Sequence, residues 1–179
     1  MNLQKYKFIN WVLLLFVVIL TSGCFKWTRY AGDGTFVDNG LLSYANRYMV
    51  ELGEIDISRV GINNYTLKGL PRATLIVYLQ ITEDKQNSWG EKKNYPAIVR
   101  VKLQNSKGQY LIQEESSLNQ WTRSYSALDN FSHLYIRGDS DSSGSYFDSE
   151  KKDVYKLSVE ILSSSFNRPT SVLLVGWTR

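Results

Sequence analysis

The sequence predicts an all-β chain folded as a single antiparallel β-sandwich, jelly-roll or immunoglobulin-like, with one or two short helical turns. Three observations predict it. Apolar residues alternate with polar ones at Leu75, Val77, Leu79 and Ile81, at Val99, Val101 and Leu103, and at Tyr155, Leu157, Val159 and Ile161. Successive side chains of a strand point to opposite faces, so this period of two marks strands with one face buried and one wet. Weaker strand patterns cover Tyr48–Ile57, Tyr65–Leu67, Tyr110–Gln113, His133–Arg137 and Ser171–Trp177. Turn-forming residues at Asn63-Asn64, Asn105-Ser106-Lys107-Gly108 and Arg168-Pro169 separate them, the second in the manner of a hairpin.

Ser171–Trp177 is apolar at nearly every position and reads as a central strand or one covered on both faces. Two segments also fit helical spacing: Leu41, Ala45, Tyr48 and Leu52, and Leu118, Trp121, Tyr125 and Leu128. A hydrophobic content of 43 % with 13 % aromatics excludes disorder. The length fits one domain with its own core, and neither a repeat of 20–50 residues nor a low-complexity tract interrupts it.

The first two dozen residues have a different character. Lys5 and Lys7 give a positive start, Trp11–Leu20 is wholly apolar, and the small residues Thr21-Ser22-Gly23 lead into Cys24, the single cysteine. Ten apolar residues are too few to span a bilayer, which takes about 20. This arrangement reads as a cleaved signal peptide over residues 1–23. Leu20-Thr21-Ser22-Gly23-Cys24 resembles the lipobox of bacterial lipoproteins, in which the cysteine takes a diacylglycerol and an N-acyl chain of the palmitate kind. The alternative, an ordinary buried cysteine, requires charge, apolar run and small residues to coincide by chance. The resemblance implies a permanent lipid anchor at Cys24, because each buried methylene contributes about 0.8 kcal/mol and several chains act together. Phe25, rather than Asp, follows the cysteine. By the same resemblance this places the chain at the outer membrane, facing the periplasm, in a Gram-negative envelope. Residues 24–40 then form the lipidated cysteine and a short tether, and residues 41–179 the sandwich. Phe25, Trp27, Tyr30 and Phe36 in the tether imply that part of it packs on the domain or sits at the lipid interface.

Removal of residues 1–23 lowers the net charge from +4 to +2. Such a chain, with no Lys/Arg cluster, is not built to bind nucleic acid. An acylated Cys24 also leaves no thiol for a disulfide, a zinc site or a nucleophile.

Glu54-Ile55-Asp56-Ile57-Ser58, Leu67-Lys68-Gly69-Leu70-Pro71, Tyr146-Phe147 and Val154–Leu162 together resemble a group of small bacterial lipoproteins carrying a β-rich domain of unknown function and a C-terminal Tyr-x-Leu-x-Val strand. The resemblance spans about residues 45–177. It implies location and fold but no catalytic residues. Asp148-Ser149 stands here where that group has Thr-Pro.

Four constellations bear on chemistry. Asp139, Asp141, Ser143 and Glu150, around Gly144, have the oxygen-ligand spacing of a calcium loop. Strand patterns flank them where helices belong, and Tyr146 and Phe147 fall at positions normally occupied by smaller or polar residues, so the loop reads as solvated. His133 is the single histidine and lies in a strand pattern with no Gly-x-Ser-x-Gly elbow to serve. Asp139, Asp141, Asp148 and Glu150 include carboxylates that a hydrolase could use as a pair. Trp89, Tyr95, Trp121 and Tyr125 are loop aromatics suited either to binding a glycan, peptide or protein, or to closing the ends of the sandwich.

The expectation from sequence is therefore a non-enzymatic, lipid-anchored envelope module without a metal cofactor, whose partner is an envelope protein or a secreted toxin. An immunity-type role falls within that class. The alternatives are a structural accessory of a secretion or cell-wall machine, and a hydrolase using the acidic loop at 139–150.

Overall fold

The computed structural model describes residues 30–38, 46–82, 94–125, 131–137 and 153–177. Among the described residues, ten strands run in the order β1 (Thr35–Asp38), β2 (Asn46–Ile55), β3 (Gly61–Lys68), β4 (Thr74–Thr82), β5 (Ala97–Gln104), β6 (Tyr110–Ser117), β7 (Thr122–Tyr125), β8 (Phe131–Arg137), β9 (Val154–Ser164) and β10 (Thr170–Trp177). A single 3-10 turn, Leu118–Gln120, separates β6 from β7. The strands form two antiparallel sheets, β1-β2-β10-β4-β8-β7 and β3-β9-β5-β6. The molecule is an all-β sandwich.

The alternating residues meet between the sheets. Val50, Leu75, Val77, Leu79, Ile81, Leu134, Ile136, Val172 and Leu174 come from the six-stranded sheet; Leu67, Val99, Val101, Leu103, Ile112, Tyr155, Leu157, Val159 and Ile161 come from the four-stranded one. All are buried. Each fully buried aliphatic side chain stabilises the fold by about 1.5–3 kcal/mol relative to exposure.

β10 is central, between β2 and β4. Its near-continuous apolar run follows from burial on both faces. Val172 and Leu174 face the core, while Leu173 and Val175 on the opposite face are also buried, beside Ile76 of β4. On that outer face Tyr78 packs against Tyr135 and meets His133 edge-on.

The structure settles two open readings and corrects two expectations. Tyr48 and Leu52 lie in β2, not in a helix. A spacing of four places residues on one face of a strand as well as of a helix, so that pair does not discriminate. Leu118 opens the 3-10 turn Leu118–Gln120, a helical turn as one reading of that spacing expects, and Trp121 caps it before β7. Asn63-Asn64 lies inside β3 rather than before it, because an edge strand tolerates polar residues that a central one would exclude. Finally, the folded unit reaches back before residue 41. β1 pairs with β2, and Tyr30 stacks on Phe36, which stacks on Tyr48. These aromatics gain more by covering the sandwich than a solvated tether would allow. Leu41, Ala45 and Leu128 lie outside the described residues.

The passage from residue 30 to β1 links the sheets. Ala31 N–H donates to Lys68 O at 3.0 Å and Asp33 N–H to Thr66 O at 2.8 Å, while Thr66 N–H donates to the Asp33 carboxylate at 2.6 Å. Residues 31–33 therefore run antiparallel along β3 of the four-stranded sheet. At Gly34 the chain turns away to join the six-stranded sheet. Gly34 has φ +85°, and a Cβ there would collide with the carbonyl oxygen of Glu51. Both facts demand glycine.

Candidate functional site

The residues singled out from sequence fall into two groups. Cys24, Trp89, Asp139, Asp141, Ser143, Asp148 and Glu150 lie outside the described residues, as does the Tyr146-Phe147 pair. Of the aromatic quartet, Tyr125 ends β7, Tyr95 lies just before β5 and Trp121 just before β7.

Tyr95 and Trp121 are core residues, so of the two readings open to them the closing of the sandwich end holds and the guess that they present a binding surface does not. They are 3 % and 7 % exposed. The Trp121 ring folds back on β6, where its indole N–H donates to Ser116 Oγ at 3.1 Å. Tyr95 meets Phe166 edge-on at 5.6 Å, and its backbone N–H donates to Asn119 Oδ1 at 2.8 Å. Asn119 Nδ2 in turn donates to Asn94 Oδ1 at 2.7 Å. The two rings close one end of the sandwich around Leu118, which is fully buried. Large rings gain most from water exclusion, and here Ser116 of β6 accepts the indole N–H while Asn119 of the turn between β6 and β7 accepts the backbone N–H of Tyr95.

At a second turn, Asn105 Oδ1 accepts from the N–H groups of Lys107 (3.0 Å) and Gln109 (2.9 Å) in the hairpin between β5 and β6. Asp153, also buried, accepts from the N–H groups of Ser106 (3.2 Å) and Val154 (2.8 Å). Burial pushes its carboxyl up, but the hydrogen bonds from Ser106 and Val154 and the charge of Lys107 outweigh this and hold it below the usual carboxylate range. This carboxylate is committed to holding a turn.

The outer face of the four-stranded sheet is charged. Arg100 of β5 reaches Glu115 of β6 with Nε at 2.7 Å and Glu160 of β9 with Nη1 at 2.8 Å. The two carboxylates, Glu115 first, raise the guanidinium above its ordinary range. Ile62 of β3 lies next to Glu160 in the same cross-strand row. Tyr30 and Tyr65, on either side of Asp33, are both pushed up, chiefly by burial and then by that carboxylate; Tyr30 reaches about 12. Neither is poised to exchange a proton near neutrality.

Among the described residues no three His, Cys, Asp or Glu side chains gather as metal ligands, and no helix is long and apolar enough to cross a membrane. His133 sits half-buried in β8 against Tyr78.

What the described surface offers is a strand edge. Four strands end the sheets: β1 and β7 in one, β3 and β6 in the other. β1 and β7 have four residues each, and β6 carries Glu114 and Glu115. β3 has eight residues, and none from Gly61 to Leu67 is charged. Ile62 is 57 % exposed and Val60, just before it, 73 %. Sequence reasoning treated Asn63-Asn64 as a turn and so missed this edge. The signal was present in the run Val60–Leu67, which lacks both charge and proline.

No known protein-family model matches the chain, and no curated protein matches it. Among solved structures, one similar chain is described as a novel family GH115 4-O-methyl-α-glucuronidase with specificity for decorated arabinogalactans. The identity is 12 % and the TM-score 0.32; the match covers 79 % of this chain and 16 % of that one. The chain thus spans about a sixth of that enzyme's length, and a likeness this slight bears on neither activity nor substrate.

Proposed function

We propose that this chain is a lipid-anchored envelope lipoprotein whose β-sandwich acts as a non-catalytic binding module for another protein, either an envelope component or a secreted toxin that it neutralises. The observation that carries the reading is the placement of Cys24. It follows a charged start, a short apolar run and three small residues, and only five residues separate it from Tyr30, where the described fold begins. Six peptide steps reach at most roughly 20 Å. An acylated Cys24 would therefore hold the sandwich close against the bilayer, with residues 31–33 and the Lys68 end of β3 nearest the anchor. The outer membrane, on its periplasmic face, is the compartment that Phe25 favours.

The binding role is supported by how the described polar groups are used. Asp153 and Asn105 hold turns, Arg100 joins two carboxylates, and the rings of Tyr95 and Trp121 are spent on the core. A module of this kind works through its surface.

The test is expression of the full chain beside Cys24→Ser, with membrane fractionation and mass measurement of the mature N-terminus. The parent should sediment with membranes, cut before Cys24 and heavier by its acyl chains. The variant should remain uncut or leave the membrane fraction. A variant processed and sedimenting like the parent would refute the anchor.

A further inference from the structure

We infer that the free half of the β3 edge, Val60–Asn64, is a β-augmentation site that takes an extended, uncharged segment of a partner protein as an added strand. The inference rests on the binding-module reading above and gives that module its contact site and the chemistry of its partner.

The argument begins with backbone directions. In an antiparallel pair, alternate residues turn their N–H and C=O toward the neighbour and away from it. Thr66 and Lys68 turn theirs away from β9, since Thr66 bonds Asp33 and Lys68 O accepts from Ala31. The β3–β9 register runs without a shift from Lys68 to Gly61. Asn64 and Ile62 must then point the same way, outward. No described residue pairs with those outward groups, and both residues are exposed. A methyl group built on Gly61 would meet no atom within 4 Å.

The edge is thus half-used. Residues 31–33 occupy its C-terminal half as a short antiparallel strand, and Gly34 then sends the chain to the other sheet. An incoming strand would continue the line that residues 31–33 abandon, accepting from and donating to Asn64 and Ile62. Natural edges are normally blunted by brevity, charge, proline or a bulge. β1 and β7 are short and β6 is charged; the open part of β3, Gly61–Asn64, is as short as β1 and β7 but belongs to an eight-residue strand and carries no charge, proline or bulge. The exposed side chains of Val60 and Ile62 flank the open groups, so the added strand gains apolar contact as well as main-chain bonds. Its favoured side chains beside Ile62 are β-branched or aromatic.

A second copy of this chain is the less suitable occupant. Two β3 edges meeting about a twofold axis would collide with residues 31–33 of each copy beyond Tyr65. Ile62 and Asn64 offer about four main-chain bonds to any occupant, and that collision keeps a folded copy from adding the further contact that a stable dimer of ~1,000 Å² needs. A free extended segment carries no residues 31–33 of its own, so it can leave the edge at Tyr65 and run on past Gly61.

The experiment uses the full chain in detergent and, as probe, a phage-displayed library of linear twelve-residue peptides. Amide hydrogen exchange is followed with the selected peptides. Selected peptides are expected to slow exchange at the Ile62 and Asn64 amides at least tenfold. Affinity should fall at least tenfold in Asn64→Pro, which removes one outward N–H, and in Ile62→Lys, which charges the edge; Lys102→Ala should bind as the parent does. Thermal melting of each variant shows that the fold persists, and two different lesions at the edge guard against one of them failing to fold. Peptides that bind without slowing those amides, or that bind both edge variants as tightly as the parent, overturn the proposal, as does a library that yields no binder. Slowing that grows with protein concentration in the absence of peptide assigns the edge to a second copy and also overturns it. None of these outcomes depends on acylation, so they are separable from the fractionation of Cys24→Ser.

Discussion

The ring of Tyr48 lies directly over Gly176, its cross-strand neighbour in the β2–β10 pair, with no room for a Cβ between them. The ring is buried, its hydroxyl donates to Pro71 O at 3.1 Å, and it stacks on Phe36 at 5.3 Å. Glycine is required in a central strand here because a buried tyrosine uses the space that a side chain would fill. Gly176→Ala should therefore destabilise the chain by about 1–3 kcal/mol through overpacking. At about 2–4 °C per kcal/mol for a domain of this size, the melting temperature should fall by several degrees. Tyr48→Phe keeps the ring but loses the bond to Pro71, so the expected loss is about 0.5–1.5 kcal/mol. Thermal unfolding followed by circular dichroism measures both.

Asp153 gives a pH prediction with a definite sign. The folded chain holds its carboxyl below the ordinary value, so the unfolded chain takes up the proton first as pH falls. Its contribution is whole above the unfolded carboxylate value of about 4 and is lost as pH falls through the lower folded value. Asp153→Asn should flatten this part of the stability profile while retaining an acceptor for Ser106 and Val154. Asp153→Ala removes the acceptor at a buried position and should cost about 1–3 kcal/mol at neutral pH. Urea unfolding of the three proteins between pH 3 and pH 7 would reveal the difference. A profile for Asp153→Asn that parallels the parent's would show that the carboxylate's charge contributes nothing.

How much of this was legible in the sequence depends on what each residue answers to. β5 and β9 are plain in the alternation of Val99–Leu103 and Tyr155–Ile161, because one face of each meets the core and the other is polar and partly wet; β4 shows through Leu75, Val77, Leu79 and Ile81 on its core face, although its outer face is covered at Ile76 and Tyr78. β10 is legible as a central strand because burial on both faces removes the alternation. Strand order is not legible, since pairing between apolar faces is decided by fit across the sandwich rather than within any one segment. Edges also mislead: β3 is long despite Asn63-Asn64, and β6 extends to Ser117 despite Glu114 and Glu115, as outward polar groups cost an edge strand little. The role of Tyr95 and Trp121 stayed open because a loop aromatic reads alike whether it faces a partner or closes the core. Their hydrogen bonds to Asn119 and Ser116 decide, and those bonds depend on a turn that pattern alone does not locate.

The row formed by Glu115, Arg100 and Glu160 should respond to salt. All three side chains are partly exposed, so their attraction is screened and contributes modestly. Arg100→Gln is expected to lower the melting temperature slightly at low ionic strength, and the difference from the parent should shrink by more than half in 1 M sodium chloride. An undiminished difference at high salt would mean that Arg100 acts through the packing of its aliphatic stem instead.

Trp121 separates a core role from a binding role. Its ring is 7 % exposed and its indole N–H is used by Ser116. Trp121→Ala should destabilise by about 3–5 kcal/mol, because the site cannot collapse around so large a void. Trp121→Phe should recover most of that loss while forfeiting the bond to Ser116. If the edge of β3 is the contact surface, Trp121→Phe should leave affinity for peptides selected on that edge unchanged while still lowering the melting temperature. The reverse pattern, an unaltered melting temperature with lost peptide binding, would return the ring to the binding role that the sequence left open, so chemical denaturation and peptide titration of this one variant together decide which end of the sandwich does the binding.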